Sequence, residues 1–298
     1  MPLGLLTGLG AALCWGTMDI ASALASRRIG SLRVVAGVQL VGATILVVVA
    51  FLTSTGIPTD PIALALSALL GLIGGGAYFA YFTGLRVGPI AVVSGVVAAY
   101  GGLTVVLSVV LRGETLTPLQ ALGAATATVG VILTGIAFEG DWRSTRFAGP
   151  GVIFSIVALI LFAMMAITTD VAIEFADWLQ VLLVSRIVNA TLGVVVVVFV
   201  VWLAARRRPG DPLAAPVIVP TRRVFATVVL AGVLDVAGLA VFAFGLANAP
   251  TWLVGLASSF GPAVTIIIAV AFLGERLKPI QWFGLSGVAA GMVLIAIP

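Results

Sequence analysis

Three ionisable residues, Asp19, Arg186 and Asp235, sit inside stretches of sequence that are otherwise apolar. A charge in such a stretch costs several kcal/mol unless it pairs or faces water, so each is a candidate for chemistry. Asp19 or Asp235 could hold a substrate ammonium or a coupling proton, and Arg186 could neutralise a carboxylate. Arg186 and Asp235 could equally form one buried ion pair that only fastens helices together. Asn189 lies just short of a helical turn beyond Arg186 and could share its face. All three tyrosines fall in two neighbouring apolar stretches: Tyr78, Tyr81 and Tyr100. Tyr78, Tyr81 and Phe82 follow the spacing of one helical face, and Tyr100 is too deep for the interfacial belt where tyrosines are routine. With Trp15 they could wall a cavity with rings and hydroxyls, inert packing being the alternative. Gln39, Ser94, Ser258 and Ser259 could add neutral hydrogen bonds to a bound solute, or bond their own helix backbone instead.

Other chemistries are closed off. The chain has no histidine and a single cysteine, Cys14, which reads as a buried thiol. An imidazole switch, a histidine-based triad and a histidine-ligated metal are therefore excluded, and no disulfide framework exists. No Gly-x-x-x-x-Gly-Lys-Ser/Thr phrase is present, so nucleotide-driven pumping within this chain is excluded as well. No catalytic residue, metal or cofactor is expected.

The elements that must position these residues follow from composition. Of the 298 residues, 61% are hydrophobic and 9% charged, too little polar surface to coat a soluble particle. Ten apolar stretches, at 3–25, 34–52, 62–85, 90–111, 116–138, 149–169, 179–204, 225–247, 251–273 and 279–297, each approach the length that crosses a bilayer as a helix. They do not alternate polar and apolar, which argues against a membrane barrel. The first stretch lacks a basic start and is expected to remain in place. Thirteen of the fifteen basic residues fall in the odd-numbered connections, in clusters such as Arg27-Arg28, Arg206-Arg207-Arg208 and Arg222-Arg223. The even connections hold Arg112 alone, so the odd ones are expected in the cytoplasm and both termini outside. The net charge of +4 follows from this sorting and does not indicate nucleic-acid binding.

A repeat organises the stretches. Gly113-Glu114-Thr115-Leu116-Thr117-Pro118-Leu119-Gln120 recurs as Gly274-Glu275-Arg276-Leu277-Lys278-Pro279-Ile280-Gln281, a shift of 161 positions that also maps Gly84-Leu85 onto Gly245-Leu246. A duplicated unit of five helices, an odd number, enters the membrane the second time upside down. The expected fold is an all-α integral membrane protein with ten transmembrane helices as two inverted five-helix repeats, at 1–138 and 149–298 with a cytoplasmic connector at 139–148. Inverted repeats are the architecture of secondary transporters. Glycines near helix centres, Gly75 and Gly101, and Pro262 are candidate hinges, close helix crossing being their alternative role.

The helix-entry proline, the small-residue helix, the Gly-Glu-x-Leu-x-Pro-x-Gln phrase and the glycine-spaced closing helix together resemble the EamA domain of the drug/metabolite transporter superfamily. Leu13-Cys14-Trp15-Gly16-Thr17 is similar to the start of that domain, and the resemblance covers nearly the whole chain as two copies. The first copy departs from the pattern with Tyr100-Gly101-Gly102 where the second has Gly261-Pro262. Within the family the chain also resembles YddG-type amino-acid exporters. The resemblance implies a multi-pass transporter of the cell inner membrane that exports small metabolites, amino acids foremost, by alternating access around a midplane cavity. Its partners would be a small-molecule substrate and the lipid bilayer, with the monomer as the expected assembly. A multidrug or nucleotide-sugar carrier is the alternative within the superfamily. An intramembrane enzyme or a partner subunit is the alternative outside it, and an enzyme would need a convergent catalytic group that these residues do not offer.

Overall fold

The computed structural model describes residues 2–87, 93, 96–135, 150–206, 220–261, 263–264, 268 and 279–296. Among them are ten helices: α1 (Pro2–Ile29), α2 (Ser31–Leu52), α3 (Pro61–Val87), α4 (Tyr100–Arg112), α5 (Pro118–Gly135), α6 (Pro150–Ala172), α7 (Trp178–Ala205), α8 (Arg222–Leu246), α9 (Thr251–Ser258) and α10 (Pro279–Ala296). No strand occurs among the described residues. Six helices, α1 to α3 and α6 to α8, are long and apolar enough to cross a membrane. Polarity is arranged for lipid: Phe51 is 84% exposed and Phe283 74%, whereas Arg186 is 3% exposed and Asp235 fully buried.

Local chemistry sets the helix ends. Asp60 accepts from the amides of Ile62 and Ala63 at 2.7 and 3.0 Å, and Asp177 from that of Leu179 at 2.8 Å, so two of the acidic residues at the connections are helix caps. The repeated phrase decodes in the same terms. Gly113, with φ of 67°, supplies the left-handed turn that ends α4, a conformation only glycine adopts without strain. Pro118 opens α5, where its missing N–H is no loss. Thr117 and Gln120 exchange amide-to-side-chain bonds of 2.9 and 3.2 Å, a capping box.

Packing repeats across the two halves. The first helix of each half lies along the third of the other, α1 on α8 and α6 on α3, and the second of each also meets the third of the other, α2 on α8 and α7 on α3. Equivalent helices pair with one another: α2 with α7, α4 with α9 and α5 with α10. These pairs run antiparallel. A Cβ added to Gly123 would lie 2.9 Å from the carbonyl of Gly291, and one on Gly130 would lie 2.7 Å from that of Gly284. The 161 shift maps Gly123 to Gly284 and Gly130 to Gly291, so the same two positions meet crosswise. On α2 and α7, Gly42 faces Arg186 and Ala36 faces Gly193.

Within the apolar runs at 90–111 and 251–273 the helix is interrupted by one irregular turn each, with helical residues described on both sides: 93 and 96–98 before Ala99, and 261, 263, 264 and 268 after Phe260. α9 stops at Ser258, and the amides of Ser259 and Phe260 turn back to Leu256 and Ala257 at 3.1 and 3.4 Å. In the first half Ala99 turns back to Val96 at 3.2 Å just before α4. Ala99 and Phe260 are again 161 positions apart. The break in the first half adjoins Tyr100-Gly101-Gly102, where two glycines lower helix propensity. The candidate hinge Pro262, at the corresponding place in the second half, lies outside the described residues.

Candidate functional site

The two charges on α7 and α8 satisfy each other. Arg186 Nη1 donates to Asp235 Oδ2 at 2.7 Å and to Gln39 Oε1 on α2, with the guanidinium and carboxylate both buried. Tyr78 on α3 donates its hydroxyl to Asp235 Oδ1 at 2.6 Å. Four helices from both halves thus converge on one neutral cluster. Arg186, Asp235 and Gln39 lie off the cavity described next, and Tyr78 alone links the two.

That cavity lies where the breaks at Ala99 and Ser259 meet. It holds about 70 Å³, several times the ~10–15 Å³ that one water centre requires. Trp15 and Asp19 of α1, Tyr78 and Tyr81 of α3, Tyr100 of α4, and Ser258 and Ser259 at the end of α9 all line it, so most of the residues singled out by type and depth are brought together. Phe162 of α6 stands at the centre of the rings, with centroids 5.4, 6.1 and 5.9 Å from those of Tyr78, Tyr81 and Tyr100. Trp15 packs on Phe242 at 5.5 Å. Phe162, Phe242, Met18 and Met165 also line it, with Val97, Ala98 and Gly261, and carry no signal as apolar or small residues in apolar helices. The exception is Phe242, which the 161 shift makes the counterpart of Tyr81.

Most of the hydroxyl groups can be assigned. Ser258 Oγ donates to the carbonyl of Gly255 at 2.8 Å and Ser259 Oγ to that of Leu256 at 2.7 Å. Tyr100 Oη lies 3.0 Å from Ser258 Oγ, a bond in which either hydroxyl can donate. Tyr81 donates to Asp19 Oδ2 at 3.4 Å, a long bond. Asp19 has no cationic partner within 4 Å among the described residues. Trp15 Nε1 is buried without an acceptor.

The remaining candidates fall elsewhere. Ser94 and Pro262 lie outside the described residues. Gly75 sits within the unbroken α3, where Asn189 and Leu192 of α7 close on it, and Gly101 abuts Ser259 too tightly for a side chain. Among the described residues no three His, Cys, Asp or Glu side chains gather as metal ligands.

One end of the bundle is tied across the halves. Arg112, ending α4, donates from Nε to Asp170 Oδ2 of α6 at 2.6 Å and from Nη2 to Glu174 Oε1. Beside it, Glu114 accepts the amides of Thr251 and Trp252, the free N–H groups opening α9, at 2.7 and 3.0 Å. The glutamate of the repeated phrase is therefore a cap, but for a helix of the opposite half. Between this end and the cavity, Gly255 packs directly on Thr104.

No curated protein matches this sequence. A solved crystal structure superposes with a TM-score of 0.79 over 99% of this chain and 96% of its own, at 18% identity, which establishes a common fold. The model of the EamA-like transporter family matches twice, over residues 2–136 and 149–297, one copy for each half. With two such copies covering nearly its whole length, the chain belongs to the EamA-like transporter family and is a membrane transporter.

Proposed function

We propose that this protein is a secondary transporter that exports small amine-bearing metabolites, amino acids among them, across the cell inner membrane by alternating access. The observation that carries the reading is the cavity itself, which lies where two matched helix breaks face each other and presents one carboxylate among aromatic rings. Broken helices from two related halves are where transporters of this architecture hold their cargo. Asp19 would bind the ammonium, Tyr81, Tyr100 and Trp15 would enclose it, and Ser258 and Ser259 would border the far side.

Ten crossing helices in two inverted halves are part of this reading. The antiparallel pairing of α5 with α10 and of α2 with α7 supports inversion, because equivalent helices run in opposite directions. The basic connections put the odd loops and the 139–148 connector in the cytoplasm and both termini outside. Arg206 lies 3.7 Å over the ring of Trp202 at the end of α7, as expected of an interfacial anchor on the cytoplasmic side. The Glu114 end is then the outer one, held shut, and rocking of the halves would open it while closing the other. The absence of basic side chains from the described cavity lining weighs against a nucleotide-sugar or other phosphorylated cargo.

Flux of labelled amino acids and amines into proteoliposomes tests the proposal. Saturable, gradient-dependent movement of at least one is expected. Failure of every solute, together with no opening of the Glu114 end in labelling experiments, would overturn it.

A further inference from the structure

Resting on the transporter reading, we infer that the preferred cargo is a small organic cation with no carboxylate group, and that Asp19 supplies its counter-charge. The inference comes from the direction of the hydrogen bonds around the cavity. The hydroxyls of Tyr78, Ser258 and Ser259 give their hydrogens to Asp235, Gly255 and Leu256 respectively, and that of Tyr100 shares a hydrogen bond with Ser258. That of Tyr81 goes to Asp19. What these groups can turn toward a solute is lone pairs.

The rings point the same way. Tyr78, Tyr81 and Tyr100 gather around Phe162, and Trp15 packs on Phe242. Aromatic faces carry negative charge density and attract cations, more strongly where water is excluded. At the centre of charge is Asp19, with one long hydrogen bond and no cation beside it among the described residues.

A zwitterion would need a complement for its carboxylate. The one fully buried guanidinium among the described residues, that of Arg186, lies behind Tyr78 and is already neutralised by Asp235 and capped by Gln39. Among the described lining groups, the only side-chain N–H or O–H hydrogen left without an acceptor is that of Trp15 Nε1. A carboxylate held by that single donor, in the same small cavity as Asp19, would leave two like charges close together with little to separate them. A cation meets only attraction.

Choline and glycine betaine make a matched test, since both carry a trimethylammonium group and only betaine carries a carboxylate. The full-length protein in proteoliposomes is assayed for counterflow of labelled choline, betaine and leucine. Saturable choline counterflow at least tenfold faster than that of betaine or leucine is expected. Asp19→Asn should abolish it, Asp19→Glu should retain a measurable part, and folding of both variants is checked by monodispersity and thermal melting. Leucine or betaine moving as fast as choline would overturn the inference and leave the transporter reading intact. Choline movement unchanged in a folded Asp19→Asn variant would also overturn it. No movement of choline would overturn it too, and the labelling of the Glu114 end then decides separately whether the protein alternates at all.

Discussion

Glu114 and Thr251 are 137 residues apart in sequence, yet the carboxylate of one accepts the backbone amide of the other at 2.7 Å. The bond joins the end of the fourth helix in one half to the start of the fourth helix in the other. A carboxylate at a helix N-terminus meets both free N–H groups and the positive end of the helix dipole. It is therefore a latch whose strength depends on charge.

Removing that charge should loosen the latch. Glu114→Gln is expected to weaken closure by about 1 kcal/mol, which is roughly a fivefold shift in the open population. In a Cys14→Ala background, a cysteine replacing the buried Thr104 reports opening by its reaction with a membrane-impermeant maleimide. A rate that does not rise in the glutamine variant would show that the contact does not hold this end shut.

The Arg186–Asp235 pair should behave as structure. Arg186→Met or Asp235→Leu alone leaves one charge buried and uncompensated, at a cost of about 3–5 kcal/mol. The double substitution is expected to recover most of the melting temperature, because it removes both charges together. A double variant as unstable as either single one would mean that the charges do more than satisfy each other.

Tyr100 separates ring from hydroxyl. Tyr100→Phe keeps the aromatic face and gives up a bond to Ser258, so transport should fall only a few-fold. Tyr100→Ala removes the face and should lower flux by roughly tenfold, in line with ~1–2 kcal/mol for a desolvated cation over a ring. Equal flux in both variants and the parent would place the cargo elsewhere.

The direction of the halves is open to chemical labelling. Single cysteines at Thr115 and Arg276, equivalent positions of the repeated phrase, should react from opposite faces of the membrane. Reaction from one face would refute inversion.

Much of this was legible in the sequence because lipid makes polarity informative. Asp19, Tyr81, Tyr100 and Trp15 stand out in apolar stretches, and they do meet at one cavity. The glycine–glutamate phrase announced the duplication. What stayed hidden was of two kinds. Hydropathy sums composition over a window, so it cannot see that helix 251–258 stops at Ser258 inside an unbroken apolar run. Nor does spacing along one chain reveal a partner in the other half, which is why the repeated phrase does not disclose the helix that Glu114 caps and why Arg186 leaves two readings open. Phe162 shows the same limit: its position among three tyrosines is decided by packing between α3, α4 and α6, on which the local sequence is silent.

The antiparallel contact of α5 with α10 has a consequence for how such a protein can change. Its glycines touch backbone to backbone, and a Cβ on Gly130 would come within 2.5 Å of the Val288 amide, so bulk is not tolerated there. Yet among the described residues neither helix contributes to the cavity wall. On the proposed reading, cohesion and cargo choice rest on separate positions, and a descendant could acquire a new solute by altering α1, α3, α4, α6, α8 or α9 while the glycine brace stays as it is.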